Sequence, residues 1–422
     1  MGKRMAEAYH NPARHVTGHP LQSLRPMHRI ARVVFPYYWE VLSSGAALGE
    51  WVLACWTFGA PAGVAAHVTA LVALFAVNRI ATLAFELEDA VAPVRHRLAR
   101  TVLATGFAAA GGTAGLIVAG VAWACLVRAG GLSAQAGTAF VVPHEWLGRE
   151  FDVVGWVGIV AGIGLVAEGY LLGHRRLDVS RLQVRLPNLP ASLDGFRIVQ
   201  VSDLHLGPIA SREALREAFD RVVAEDPDLI VVTGDLVDSR KADMDRWLPE
   251  LGRLRARHGI VAILGNHDRD VGLDRVAAAV RAATGWIVLR DECHPIDVDG
   301  ATLYLAGLEF RPTPHEGDSV ARLARTLPAE APVVLLIHHP NAFAAAVDAG
   351  FALTLAGHTH GGQVALPFAR RWNLARLLMT PYDAGTFSER GAVLHVNRGL
   401  GTSGQRVRIA APREITVVTL RA

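Results

Sequence analysis

Cysteine is scarce in this 422-residue chain, and the three cysteines present, Cys55, Cys125 and Cys293, lie far apart in the sequence. An odd and scattered set of this kind predicts neither a disulfide framework nor a thiolate metal site. Long runs of basic residues are also lacking, and the formal net charge is only +3. The sequence therefore argues against a nucleic-acid-binding protein and against a disulfide-linked partner.

Apolar residues are abundant by contrast, at 51% of the chain, which is more than an ordinary soluble protein contains. Four stretches have about the roughly 20 residues that a ~30 Å hydrocarbon layer requires. They are Val41–Phe58, Val64–Phe85, Thr101–Val127 and Val153–Leu172. The first is the weakest because Glu50 lies within it, and its alternative is a short interfacial helix. We predict a membrane domain of about four helices over residues 41–172.

Basic residues flank these four stretches unevenly. By the positive-inside rule, we predict that residues 1–40, the connection between the second and third stretches, and everything after the fourth are cytoplasmic. We expect no cleavable signal peptide, because no short apolar region with a small-residue cleavage site follows the first residues. The expectation is a multi-pass protein of the inner cell membrane. If the first stretch does not span the membrane, the number of spans becomes odd. The predicted assignment of the connections to the two sides of the membrane is then strained.

Two of the stretches also contain glycines four residues apart, Gly111 with Gly115 and Gly158 with Gly162. Glycine pairs at this spacing let helices approach closely in lipid. The third and fourth stretches are therefore predicted to pack closely within a helical bundle.

After Leu172, strand-like apolar runs alternate with helical segments. The runs are RLQVRL, RIVQV, DLIVV, IVAIL, VVLLI and FALTL, and helices are expected near Arg212–Ala224 and Asp243–Arg255. Strands that alternate with helices indicate an α/β sheet with helices packed on it. The closing runs AVLHV, RVRIA and EITVVTL look like consecutive strands, so we expect a mixed sheet or a two-sheet sandwich over residues 177–422.

Polar residues directly follow five of these runs. SDLHLG follows RIVQV, TGDLVD follows DLIVV, GNHD follows IVAIL, HHP follows VVLLI and GHTH follows FALTL. Ligand groups collect at strand ends in α/β proteins, and five coincidences are too many for ordinary turns. Carboxylate, imidazole and amide oxygen without thiolate predict a site for divalent metals such as Mn²⁺, Fe²⁺ or Zn²⁺. The donors are numerous enough for two ions.

The octapeptide AGHTHGGQ, Ala356–Gln363, carries two histidines separated by one residue. In an extended strand, His358 and His360 would project to the same side. We expect each of them to serve a different metal. The two glycines that follow would allow a sharp turn or the close approach of a ligand.

Taken in order, the blocks DLH, GD, GNHD, HH and GHTH resemble the signature of the calcineurin-like metallophosphoesterases. The tail VNRGLGTSGQRVRIAAPREITVVTL narrows the resemblance to the membrane-associated branch with N-terminal transmembrane helices. The resemblance covers about Leu182 to the C-terminus and implies two mixed β-sheets in a sandwich flanked by helices. It also implies hydrolysis of a phosphoester or pyrophosphate bond by two divalent ions, manganese first, with iron or zinc as alternatives.

The resemblance further implies roles for individual residues. The first metal would be held by Asp203, His205 and His360, the second by Asn266, His338 and His358, and both by Asp235. His339 is the alternative to His338. His267 would be the general acid or transition-state donor. Asp268 would either orient His267 or only begin a helix.

The substrate is less defined. Some relatives cleave UDP-diacylglucosamine in lipid A synthesis, and a membrane anchor suits such a lipid-linked pyrophosphate, although an anchor also serves localisation alone. The stretch Leu366–Met379, with its arginines, leucines and Trp372, fits an amphipathic flap over an acyl-bearing substrate or a packed surface segment. The rival class is a transporter or scaffold with a regulatory metal-binding domain, which Glu50 and Glu168 favour.

Overall fold

The computed structural model describes residues 14–15, 38–59, 63–86, 93–135, 146–207, 209–238, 244–311 and 316–422. The chain divides into a helical unit, Arg32–Leu171, and a mixed α/β unit that begins at Leu172 and includes the short strand Arg14–His15. Most of the predicted N-terminal segment, residues 1–40, lies outside the described residues. The functional division into residues 1–40, 41–172 and 177–422 stays a prediction.

Four helices make up the described part of the helical unit. They are α1 (Tyr38–Phe58), α2 (Val64–Glu86), α3 (Pro93–Gln135) and α4 (Trp146–Leu171). Among the described residues, three segments are long and apolar enough to cross a membrane, Val64–Leu83, Leu98–Cys125 and Asp152–Arg175. These segments correspond to α2, α3 and α4, and the expected span in α1, which contains Glu50, stays a prediction.

Close packing of α3 against α4 is confirmed. A Cβ atom added at Gly115 would lie 1.9 Å from the carbonyl oxygen of Gly158, and one added at Gly162 would lie 2.0 Å from that of Gly111. Only glycine allows the two backbones to approach this closely. Elsewhere in the unit, Nδ2 of Asn78 donates a hydrogen bond of 2.9 Å to Oε2 of Glu50, so Glu50 faces a neighbouring helix.

Two mixed β-sheets form the α/β unit. The first contains β1 (Arg14–His15), β7 (Glu292–Val298), β8 (Ala301–Gly307), β9 (Val333–Leu336), β10 (Leu353–Ala356), β13 (Gly385–Glu389) and β14 (Ala392–Val396) in the order β1-β13-β14-β10-β9-β8-β7. The second contains β2 (Leu177–Arg185), β3 (Arg197–Val201), β4 (Leu229–Thr233), β5 (Ile260–Ile263), β6 (Ile287–Val288) and β15 (Arg413–Arg421) in the order β2-β15-β3-β4-β5-β6.

The two sheets form a sandwich with helices on its outer faces. The helices of this unit are α5 (Arg212–Ala224), α6 (Met244–Leu251), α7 (Asn266–Val271), α8 (Leu273–Thr284), α9 (Glu316–Ala324), α10 (Phe343–Asp348) and α11 (Leu374–Leu378). Buried side chains of both sheets, such as Val231 of β4 and Leu355 of β10, share one central core. Two outer cores pack α5, α6 and α8 on the second sheet and α9 and α10 on the first. The predicted fold class is confirmed.

Two local predictions differ from the structure. RVRIA does not form a strand; its Ile409 makes only an isolated bridge to Val364. The reason is Arg408, which is fully buried and donates from Nη1 to the carbonyl oxygen of Ala411 at 2.9 Å. The contacts of this side chain set the path of the backbone here, in place of pairing with a neighbouring strand. The helix expected at Asp243–Arg255 ends at Leu251, and Asp243 itself lies outside the described residues.

Candidate metal centre

Five strand ends bring the predicted site residues to one place. Strands β3, β4 and β5 run parallel in the second sheet, as do β9 and β10 in the first, so each set ends at one sheet edge. Gln200 of β3 joins the two sheets beneath this edge, because its Nε2 atom donates to the carbonyl oxygen of Ala356 in β10 at 2.9 Å. The polar residues that follow these strands therefore face one another across the sandwich.

One donor group consists of Asp203, His205 and His360, all buried. The Nε2 atoms of His205 and His360 lie 3.0 Å apart, and Oδ1 of Asp203 lies 3.5 Å from Nε2 of His360. Two ligands of one ion, each bound at about 2.1 Å, lie roughly 3.0–3.4 Å apart. The spacing of these atoms therefore fits a single divalent ion.

A second donor group consists of Asp235, His338 and His358. Nε2 of His338 lies 3.2 Å from Oδ2 of Asp235 and 3.2 Å from Nδ1 of His358. Oδ1 of Asn266 lies 3.1 Å from the same Nε2 atom. His339, the alternative to His338, caps the turn that follows it. The residues predicted for the second ion thus lie together with the spacing of ligands.

Asp235 lies between the two groups. Its Oδ2 atom is 3.7 Å from Nε2 of His205 in the first group and 3.2 Å from Nε2 of His338 in the second. Its Oδ1 atom accepts a hydrogen bond of 2.9 Å from the backbone N–H of His267. One carboxylate oxygen is therefore within reach of both groups, which is the position that a bridging ligand requires.

The hydrogen bonds of two histidines leave their Nε2 atoms available to a metal. Nδ1 of His338 donates to the carbonyl oxygen of Thr233 at 2.8 Å, and a carbonyl can only accept. Nδ1 of His205 lies 3.0 Å from Oδ1 of Asp238, where it donates to a carboxylate. Partners of this type fix the orientation and tautomer of metal-binding histidines.

Five of the predicted ligands have a left-handed backbone conformation. Their φ angles are 50° at Asp203, 44° at His205, 51° at Asp235, 73° at His358 and 52° at His360. Such conformations cost roughly 1–3 kcal/mol each and persist only where the surrounding structure enforces them. Because strain of this kind concentrates at functional sites, its presence at all five residues supports a functional role for the cluster.

The octapeptide AGHTHGGQ departs from the extended geometry expected for it. Strand β10 ends at Ala356, and both His358 and His360 lie in the turn that follows. Their positive φ angles make the two rings diverge, one into each donor group, and do not leave them on one side. Gly357 permits this tight approach, because a Cβ atom there would lie 2.0 Å from Oγ of Ser202.

The buried carboxylates Asp203 and Asp235 favour a positive charge beside them. Burial raises the pKa of the Asp203 carboxyl, and the charge of Asp235 adds to this effect while His338 opposes it. Burial also disfavours charge on Asp235 and His338, but their mutual attraction raises the pKa of His338 to about 10 and holds that of Asp235 well below its usual range. Divalent cations would offset these buried carboxylates, and the donor types present are the ones such ions bind.

His267 lies beside both donor groups. Its Nδ1 atom contacts the carbonyl oxygen of Asp238 at 2.5 Å, so Nδ1 donates, and its Nε2 atom lies 3.5 Å from Oγ of Ser403. His267 also forms a third group with His205 and Asp238 that is spaced to hold a metal. The geometry therefore suits two roles, proton donation through Nε2 and metal ligation.

The carboxylate of Asp268 is buried and accepts three backbone hydrogen bonds. The donors are the N–H groups of Gly265, Leu236 and Val237, at 2.8, 3.2 and 3.0 Å. These contacts begin helix α7 and tie it to the loop after β4, which fits the second of the two roles predicted for Asp268. Burial, with a contribution from Asp235, raises the pKa of Asp268 to about 6.

Two residues support the site without a role predicted from the sequence. Asp238 positions His205 through the hydrogen bond described above. Its place in GDLVD, three residues after Asp235, is the sequence feature that could have indicated this role. Arg408 is buried; its Nη2 atom donates to the carbonyl oxygen of Arg398 at 2.8 Å and lies 3.4 Å from Nδ1 of His360. Burial, with the charge of Arg398, lowers the pKa of Arg408 to about 9, so it stays cationic at neutral pH. Nothing in RVRIA distinguishes Arg408 from an exposed strand arginine.

Comparison with known proteins gives concordant matches. The profile of the calcineurin-like phosphoesterases matches residues 196–375. An uncharacterised metallophosphoesterase of Bacillus subtilis is 31% identical over 289 residues, which are 66% of this chain and 97% of that protein. A transmembrane protein with a metallophosphoesterase domain from Danio rerio is 30% identical over 57% of this chain and 56% of its own length. UDP-2,3-diacylglucosamine pyrophosphatase LpxG of Chlamydia trachomatis is 28% identical over 57% of this chain and 88% of its own length.

Proposed function

Because this chain belongs to the calcineurin-like metallophosphoesterases, we propose that it is a membrane-anchored two-metal hydrolase of phosphodiester or pyrophosphate bonds. The three apolar segments and the similarity to a transmembrane protein with a metallophosphoesterase domain support the anchored location. The distribution of basic residues around the apolar stretches supports a cytoplasmic catalytic unit.

The position of Asp235 is the observation that carries this proposal. Its Oδ2 atom lies within 3.7 Å of a ligand nitrogen in each donor group. A shared carboxylate holds two cations close together, which is the arrangement that phosphoester hydrolysis uses. A single-ion site would have no need of the second group.

We assign the predicted ligands to two ions. Asp203, His205 and His360 would hold the first, Asn266, His338 and His358 the second, and Asp235 both. When bound, two such cations supply a nucleophile at neutral pH and offset charge on the phosphoryl oxygens. Manganese is our choice of ion, with iron and zinc as the alternatives that metal analysis will separate.

The remaining steps belong to side chains of the chain itself. The Asp238 carbonyl holds a proton at Nδ1 of His267, which directs the second proton-binding atom, Nε2, away from that loop. We propose that Nε2 delivers its proton to the departing oxygen. The backbone N–H of His267 binds Oδ1 of Asp235 at the same time, so the proton donor and the shared ligand keep a fixed spacing.

For the substrate, we propose a lipid-linked pyrophosphate of the UDP-2,3-diacylglucosamine type, which would place the protein in lipid A biosynthesis. The similarity to LpxG supports this class, and a membrane anchor keeps an enzyme at the surface where such a lipid resides. A soluble phosphodiester is the alternative class.

The test is turnover by the purified full chain with added Mn²⁺. Bis-nitrophenyl phosphate, nitrophenyl phosphate and UDP-2,3-diacylglucosamine are compared as substrates. Asp235→Asn is expected to lose turnover and metal together, because one oxygen serves both groups. Asp299→Asn, in the exposed turn after β7, is the matched control and should keep both. Full activity of Asp235→Asn would contradict the two-metal proposal.

The rival function, a transporter or scaffold, has one structural observation in its favour. The hydrogen bond between Asn78 and Glu50 places an ionisable residue among the helices. Such a bond also serves simple helix association. Glu50→Gln separates the two: an enzyme anchored by the helices should keep its turnover in this variant, whereas a transporter should lose transport.

A further inference from the structure

A short hairpin and helix directly after the metal centre expose large apolar side chains. This docking segment, Ala365–Leu378, comprises β11 (Ala365–Leu366), β12 (Ala369–Asn373) and α11. Phe368 is fully exposed, and Trp372 and Leu374 are 59% and 51% exposed. Apolar side chains gathered in this way on a protein surface mark a site of interaction.

The docking segment is held firmly at its base. Asn373 is buried, and its Nδ2 atom donates to Oδ2 of Asp383 at 2.7 Å while its Oδ1 atom accepts from the backbone N–H of Arg376 at 2.9 Å. Arg376 pairs with the same carboxylate at 3.2 Å. The exposed tip therefore projects from an ordered base, and its exposure does not result from weak packing of the whole segment.

The charges of the docking segment match an anionic surface. Arg370 and Arg371 are exposed on β12 and adjoin Trp372. The sequence from Leu366 to Met379 contains no acidic residue. Aromatic rings favour the membrane–water interface, and arginines are attracted to anionic headgroups. A bilayer with anionic lipid is the occupant that satisfies both features.

The docking segment also lies near the point where the chain enters the α/β unit. The last apolar segment ends at Arg175, whose carbonyl oxygen accepts from Nη2 of Arg413 at 2.6 Å. Ile409 accepts from the backbone N–H of Ala365 at 3.0 Å. The four residue-to-residue steps from Ile409 to Arg413 span at most about 14 Å. The tether and the docking segment therefore share one end of the unit.

We propose that the docking segment binds the surface of an anionic bilayer, with Phe368 and Trp372 in the interface and Arg370 and Arg371 at lipid phosphates. Docking would turn the metal centre toward the headgroups. Gln363 connects the docking segment to the metal centre. Its Nε2 atom donates to the carbonyl oxygen of Ser403 at 2.9 Å, and its Oε1 atom accepts from the backbone N–H of Ser403 at 2.8 Å. Ser403 in turn lies beside His267. The proposal rests on the membrane anchorage proposed above and not on hydrolysis.

The test uses the full chain in lipid nanodiscs, with its three cysteines replaced by alanine. Phe368→Cys carries an environment-sensitive fluorophore, and Val223→Cys on α5, a position 39% exposed, carries the same label as the control. With phosphatidylglycerol present, we expect a blue-shifted emission at position 368 and at least about twofold quenching by spin-labelled lipid, with neither at 223. Arg370→Glu with Arg371→Glu should weaken docking by about fivefold or more per arginine.

Three results would overturn the proposal. The first is an emission at position 368 that equals that of the control. The second is a blue shift without lipid quenching, which would mean that a second copy or another part of the chain covers the segment. The third is failure of the protein to remain in the nanodisc, which removes the anchorage. Turnover of bis-nitrophenyl phosphate in the same samples reports separately on the proposed hydrolysis.

Discussion

Replacing His267 by alanine separates proton donation from metal binding. The backbone N–H of residue 267 still binds Oδ1 of Asp235 in this variant, so the shared ligand keeps its position. What disappears is the imidazole, whose Nδ1 atom contacts the Asp238 carbonyl and whose Nε2 atom lies 3.5 Å from Oγ of Ser403. We therefore expect both metals to remain bound.

The expected loss in kcat is roughly 10²–10⁴-fold, the range of a missing general acid. This corresponds to about 3–5 kcal/mol of transition-state stabilisation. The loss should be large for an alkyl leaving group and should shrink for nitrophenolate, which needs little protonation. The assay measures kcat for a series of phosphodiesters with graded leaving groups, alongside metal content by mass spectrometry. Ser403→Ala is the control, because a contact of 3.5 Å contributes little.

Two outcomes would refute this reasoning. If metal content falls in His267→Ala, the residue acts as a ligand in the third donor group, with His205 and Asp238. If the loss is the same for good and poor leaving groups, His267 stabilises charge and donates no proton.

Two further predictions follow from the structure and a third from the distribution of basic residues in the sequence. Asp238→Ala should weaken metal affinity by about 10–100-fold, because His205 loses the carboxylate that orients it, and a competitive metal titration would show this; unchanged affinity would exclude a positioning role. Glu316→Gln should raise the melting temperature above pH 7 but not near pH 4.5. Burial raises the pKa of the Glu316 carboxyl to about 7, although His338 opposes this shift. The folded state therefore loses up to about 3 kcal/mol of stability as the pH rises from 4.5 to 7 and the carboxyl ionises. Equal melting shifts at both values would contradict this cause. A reporter fused after Ala422 should be active in the cytoplasm, and activity on the other side of the membrane would overturn the topology.

The sequence by itself determined the architecture and the chemical type of the site. Apolar runs report burial directly, so strands such as Arg197–Val201 and the helix Arg212–Ala224 were found at the bounds that the structure has. The spacing of Gly111 and Gly115 predicted close helix packing, because glycines four residues apart leave one face of a helix without side chains. Donor residues after successive strands predicted one cluster, since parallel strands end at a common edge.

Only the tertiary structure shows how the donors reach the two groups that the resemblance implied. His358 and His360 diverge because their backbone is left-handed, and that conformation is imposed by contacts with Ser202 and Asp203 from the other sheet. Arg408 has the local pattern of a strand residue but is buried against the carbonyl groups of Arg398 and Gly401, in the loop that precedes it. The local pattern of apolar and polar residues shows which side chains face a core. Which of these side chains then meet depends on how one sheet is placed against the other.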